Sequence, residues 1–183
     1  RNGDGVVDDN DRDIIGNPNP DFTYGFQTKV SWKSLSLSAS FNGVQGRDIL
    51  NVGNRYNNTP GTKSNNVTRK AFQNMWTDEN PSNLYPKSTF VVQNMVMDRY
   101  VEDGSYLRCS DITLSYVLPA KWTNKIGIKN TSVYASVKNA FVITDYSGYD
   151  PEVNSFAFDG LRPGVDMNSY PTPRSFVFGL NLT

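Results

Sequence analysis

Two runs joined by almost nothing, FTYGFQTKVSW and LSLSASFNG, restrict the fold more than any other feature of this chain. In the first, Phe22, Tyr24, Phe26, Val30 and Trp32 alternate with Thr23, Gly25, Gln27, Lys29 and Ser31. In the second, Leu35, Leu37, Ala39 and Phe41 alternate with Ser36, Ser38, Ser40 and Asn42. A pleated strand sends successive side chains to opposite faces, so this period of two predicts strands with one apolar and one polar face. Only Lys33 and Ser34 separate the runs, and a connection that short predicts a β-hairpin.

The same signal returns three more times. YLRCSDITLSYVLP sets Ile112, Leu114, Tyr116 and Leu118 against Cys109, Asp111, Thr113 and Ser115, and Pro119 ends it. TSVYASVKNAFVIT sets Val133, Ala135, Val137 and Phe141 against Tyr134, Ser136 and Lys138. RSFVFGLNLT places Phe176, Phe178, Leu180 and Leu182 on one face. Between these runs the spacing of Val67, Ala71 and Met75 predicts a short helix, Pro81 and Pro86 break regular structure, and TFVVQNMVM reads as a further extended piece. The connections alternate: short after Trp32 and moderate after Pro119, but long over about 47–105 and 145–173. Long loops without their own structure are uncommon in compact soluble domains. Antiparallel strands with short turns at one end and long loops at the other fit a transmembrane β-barrel, the apolar faces toward lipid and the polar faces toward a wet lumen. A β-sandwich with the same apolar faces buried between two sheets satisfies the pattern equally well.

Composition narrows the chemistry. Lys+Arg and Asp+Glu are balanced at 18 each, so no electrostatic case for nucleic acid exists. The chain has no histidine and a single cysteine, Cys109. Ser–His and Cys–His catalysis, HExxH zinc chemistry and a disulfide framework are therefore excluded within it. No apolar run approaches the ~20 residues of a spanning helix, whereas a barrel strand needs only ~9–11. Arg1 does not read as a natural start, so the chain is expected to be an internal or C-terminal portion of a longer precursor.

The opening RNGDGVVDDND is a candidate calcium loop over residues 1–21. Such loops supply oxygens from positions 1, 3, 5, 7, 9 and 12 and turn on a glycine at 6. With Gly5 at that turn, the ligands are Asn2, Asp4, the Val6 carbonyl, Asp8 and Asp11, and Val7 falls where an apolar anchor is usual. Position 1 precedes Arg1. Hard carboxylate and carbonyl oxygens in this number suit Ca²⁺, while a hydrated Asp/Asn turn is the plainer reading.

Four segments, NGDGVVDDNDRDIIGNPNPDFTYGF, DRYVEDGSYLRCSDITLSYVLP, VYASVKNAFVITDYSGYDPEVN and SYPTPRSFVFGLNLT, occur in the order found in SusC/RagA-type TonB-linked outer-membrane transporters of Bacteroidetes. The chain resembles the C-terminal part of that family along essentially its whole length. The resemblance implies an all-β fold, an antiparallel segment of about five strands from a 22-stranded transmembrane barrel. Residues 22–183 would belong to the barrel, with outer loops at about 47–105 and 145–173. It implies import of glycans or peptides at the bacterial outer membrane with a SusD-like surface lipoprotein. Other expected partners are the plug and remaining strands of the same transporter, outer-membrane lipid, and the TonB complex through upstream residues. Since the family's last strand ends in the periplasm, the acidic loop and both long loops would lie outside. The family usually ends on an aromatic residue, and this chain stops at Thr183.

The adjacent Glu102 and Asp103 of YVEDGSY read as part of a turn rather than a catalytic pair, because neighbours on an extended chain point apart. No enzymatic activity is expected. In the predicted outer loops Tyr56, Trp76, Tyr85, Tyr146, Tyr149 and Phe156 are candidate ligand contacts, set against a plain role in packing the loops or in an aromatic girdle.

Overall fold

A computed structural model describes residues 3–5, 8–59, 66–88, 96–124, 127–128 and 131–182. The chain divides into two compact units, one of 20–46, 104–146 and 170–183, the other of 1–19, 47–103 and 147–169.

The first unit is a single antiparallel sheet. Its strands are β1 (Phe22–Trp32), β2 (Leu35–Gln45), β5 (Tyr106–Val117), β6 (Ser132–Thr144) and β8 (Ser175–Asn181), adjacent in that order. All five expected strands form, and each pairs with the next along the chain. The turn after Trp32 is as tight as expected, with Lys33 taking a positive φ of 54°. β2 runs three residues beyond Asn42, because Gly43, Val44 and Gln45 still pair with Tyr24, Thr23 and Phe22. A short helix, α3 (Ala120–Thr123), interrupts the connection between β5 and β6.

The register carries the alternation across the sheet. Val30, Leu37, Leu114, Ala135 and Phe178 form one apolar row, and Ser31, Ser36, Ser115, Tyr134 and Gly179 form a row on the opposite face. Cys109 departs from expectation. It pairs with Phe41 and Phe141 on the apolar face, not with the row of Asp111, Thr113 and Ser115. The cause is a β-bulge: Ser110 has no partner in either register, and one extra residue reverses the parity of what precedes it. Ser110 Oγ donates to the Ser40 carbonyl at 3.1 Å, and on the neighbouring strand Asn139 adopts a positive φ of 51°.

Two glycines in this sheet are required by aromatic neighbours. The Tyr24 ring lies over Gly43 and the Tyr134 ring over Gly179, each its cross-strand partner, and a β-carbon at either glycine would collide with the ring. Ring and bare backbone thus fill each other's space, as in aromatic rescue of strand glycines.

Among its described residues the second unit has little regular structure. β3 (Asp48–Asn51) pairs antiparallel with β4 (Val101–Asp103) and parallel with β7 (Val165–Asp166). Helix α1 (Val52–Asn58) follows β3 directly, capped by Asn51, whose side chain accepts from Asn54 N–H at 2.8 Å. The expected helix near Ala71 is α2 (Arg69–Asn74), capped by Thr68 and burying Ala71. Of the expected extended piece over 89–97, residues 89–95 lie outside the described residues.

Candidate functional site

The sheet has two chemically distinct surfaces. On its apolar face Trp32, Phe26 and Phe178 keep 68, 51 and 79% of their surface exposed. Phe26 stacks on Phe41 at 4.5 Å, and Phe141 meets Phe41 edge-on at 6.3 Å, so the face is a continuous aromatic and aliphatic surface. A sandwich would bury these rings between sheets. On the polar face Asp111 gathers donors from β5 and β6. Its carboxylate accepts from Thr113 and Ser136 hydroxyls, both at 2.8 Å, and pairs with Lys138 Nζ at 2.6 Å. The strands are 7 to 13 residues long. That spans the ~9–11 residues with which a tilted strand crosses a bilayer. Among the described residues no helix is long and apolar enough to cross a membrane, which says nothing of a barrel.

In the loop unit the Glu102–Asp103 pair holds more than a turn. Glu102 Oε1 accepts from Asn51 Nδ2 at 3.0 Å, Asn54 Nδ2 at 2.9 Å and Ser147 Oγ at 2.9 Å, while Oε2 accepts from the Ser147 backbone N–H at 2.9 Å. One carboxylate therefore ties three distant stretches of chain. Sequence reasoning missed this, since nothing local in YVEDGSY shows that Asn51 and Ser147 will be neighbours. Asp48 has a similar part: its carboxylate accepts from Asn17 N–H at 2.7 Å, and its own N–H donates to the Asn17 carbonyl at 2.8 Å.

Among the aromatic candidates of the loop unit, Trp76 and Tyr85 are neighbours. Tyr85 lines a cavity of about 290 Å³ within the loop unit. The Tyr85 carbonyl accepts from Trp76 N–H at 3.1 Å, and the Trp76 ring is covered by Lys87 Nζ at 4.8 Å. Tyr56 and Phe156 carry guanidinium groups over their rings, Arg55 at 5.6 Å and Arg162 at 5.3 Å. Tyr149 is exposed and Tyr146, in the sheet unit, is buried.

Of the five expected calcium ligands, Asn2 and Val6 lie outside the described residues. Gly5, at the turn position, has φ of 82°, the left-handed conformation a sharp turn there needs. Asp8 and Asp11 hook around a single 3₁₀ turn: Asp8 accepts from Asn10 N–H at 2.8 Å, and Asp11 reaches back to Asp8 N–H at 3.3 Å. Both carboxylates are thus engaged by backbone N–H groups of their own turn. Among the described residues no three acidic, histidine or cysteine side chains converge as metal ligands.

The chain is 34% identical over its whole length to TonB-dependent receptor P26 of Formosa agariphila, covering 19% of that protein. It is likewise 34% identical over its whole length to TonB-dependent receptor SusC of Bacteroides thetaiotaomicron, covering 17% of it. Among solved structures, the RagAB peptide transporter superposes with a TM-score of 0.77 at 29% identity, over 92% of this chain and 18% of that one. The RagAB peptide importer in its open-open state gives 0.72 at 28% identity, over 90% of this chain and 17% of that one. No protein-family model matches the chain. The chain spans under a fifth of the length of these proteins, which are receptors and transporters rather than enzymes. The antiparallel meander, the exposed apolar face and these full-length matches agree: the chain belongs to the SusC/RagA family of TonB-dependent receptors, as a segment of the β-barrel.

Proposed function

We propose that the chain is part of a TonB-dependent importer of glycans or peptides in the bacterial outer membrane, working with a SusD-like surface lipoprotein. The observation that carries this reading is the apolar face left exposed across five neighbouring strands, opposite a face of hydroxyls, amides and an ion pair. Lipid is the solvent that accepts the first surface and a watery lumen the one that accepts the second. The remaining strands, a plug and the segment that engages the TonB complex are supplied by the rest of the receptor.

Alternate residues of β6 test it. In the whole receptor, Val133→Cys and Ala135→Cys should react with a lipid-soluble thiol reagent, and Tyr134→Cys and the exposed Lys138→Cys with a water-soluble one. The native Cys109 is buried and contributes little background. If Val133→Cys and Ala135→Cys resist both reagents and the receptor stays soluble without detergent, the apolar face is a core and the barrel reading is wrong.

The acidic loop belongs to the same proposal as an external calcium site, with Asn2, Asp4, the Val6 carbonyl, Asp8 and Asp11 as ligands. The left-handed turn at Gly5 and the Asp8–Asp11 hook support it. Calorimetric titration of the whole receptor should show calcium binding that Asp4→Ala weakens. No binding up to about millimolar calcium, the weak end for such loops, would remove the site.

A further inference from the structure

Among the described residues, the lining of the cavity in the loop unit has many hydrogen-bond donors and no carboxylate. Asn54, Asn58, Lys70, Asn83, Tyr85 and Arg99 all contribute to its wall. Arg99 is held in place: Nη2 donates to the Leu84 carbonyl at 2.7 Å, and the Tyr100 ring lies 5.9 Å from the guanidinium. Its other N–H groups remain for a ligand. Among the described residues the Lys70 ammonium, the Asn83 amide and the Tyr85 hydroxyl have no hydrogen-bond or ion-pair partner.

The two remaining amides are oriented by the Glu102 knot. Asn54 gives its NH₂ to Glu102, which leaves its oxygen to accept from the Asn58 amide. Asn58 then accepts from the Thr68 hydroxyl at 2.6 Å. This chain fixes which end of each amide is which, and the second N–H of Asn58 is left over as a donor. Two cations and several donors thus share the wall with Leu84, Pro86 and Tyr100, in a cavity just below the ~300–1,000 Å³ range of small-molecule sites.

We infer that this cavity binds a carboxylate carried by a small sugar acid or amino acid, held by Lys70 and Arg99 with Asn83 and Tyr85 at its rim. A planar two-oxygen anion suits the guanidinium's parallel donors, and the lysine adds a second charge-assisted bond. As a contact for imported ligand, the site rests on the importer reading.

The test is calorimetry on the whole receptor in detergent. The probes are glucuronic acid and N-acetylalanine, each beside its methyl ester, with inorganic sulfate as a further anion. At least one acid should bind about tenfold or more tighter than its ester, a difference of about 1.4 kcal/mol. Binding by the sugar acid or by the acetylated amino acid tells the two sources apart. Lys70→Gln, at an exposed position, should weaken the acid about tenfold without moving the unfolding midpoint. Equal binding of acid and ester, sulfate binding as tightly as either acid, no effect of Lys70→Gln, or no binding up to about 10 mM would each overturn the assignment. Uptake by cells is measured separately, so import that persists without binding here removes this site and leaves the importer reading standing.

Discussion

The sheet and the loop unit are built from the same chain by opposite means. The sheet is specified by a rule that repeats every two residues, and each strand is held by backbone ladders to its neighbours in sequence. Among its described residues the loop unit has only short strands and three- to seven-residue helical turns, and it is held by side chains that bond to chain far away. Glu102 reaches 51 residues to Asn51 and 45 to Ser147, and Asp48 reaches 31 to Asn17. The contrast teaches where each region is fragile. A sheet surface tolerates what its solvent tolerates, so a change is judged by face; a loop cluster depends on a few hubs, so a change is judged by residue.

The largest effect is expected where face decides. Leu37→Arg puts a charge on the apolar face of β2, and Ser38→Arg puts the same charge one residue along on the polar face. For a residue near the membrane midplane the first should cost about 2–4 kcal/mol, and the second, in a wet lumen, well under that. Urea unfolding of the whole receptor in lipid measures both. Equal costs would mean that the two faces share one solvent, and the comparison would fail at its first step.

Next in size is the hub. Glu102→Ala leaves the Asn54 amide and the Ser147 N–H without their acceptor, and the buried Asn51 keeps only its 3.3 Å bond to Ser147 Oγ. Each buried donor left unpaired costs about 1–3 kcal/mol. The damage should stay local: faster hydrogen exchange and protease cleavage in the loop segments around Asn51 and Ser147, with the assembled barrel unchanged. Glu102→Gln keeps one acceptor oxygen and should fall between. If Glu102→Ala instead blocks barrel assembly, the hub serves the sheet as well, and the division into ladder-held and hub-held regions must be redrawn.

The same contrast explains what was legible in the sequence. Strand positions, order and faces followed from alternation, because burial and pairing repeat along each strand. The Cys109 face did not, because a one-residue bulge at Ser110 leaves no mark in hydrophobicity and yet reverses parity. Glycines 43 and 179 read as gaps in the pattern, and only the register shows Tyr24 and Tyr134 filling them. In the loops, Ala71 announced its helix through spacing, while the seven residues of α1 carry only Val52 and Tyr56 at helical spacing, and β3, β4 and β7 are too short to show a period. The aromatic candidates were chosen by type, and of the six only Tyr85 lines the cavity. Its cations, Lys70 and Arg99, look in sequence like ordinary solvated charges, since nothing nearby in the chain marks them as facing one space.

The smallest expected effect lies on the polar face of the sheet, where a charge pair invites comparison with Glu102. Lys138 and Asp111 pair at 2.6 Å, with 53 and 21% of their side chains exposed. Lys138→Met removes the ammonium but leaves Asp111 with the Thr113 and Ser136 hydroxyls, both at 2.8 Å, so no acceptor is stranded. A pair that faces water contributes about 0–1 kcal/mol, and salt screening lowers even that. The unfolding midpoint of the whole receptor should therefore shift by far less than for Leu37→Arg, and the shift should shrink further at high salt. A loss as large as that of Leu37→Arg, or one insensitive to salt, would show that this face is dry, and a dry face is incompatible with a lumen on this side of the sheet.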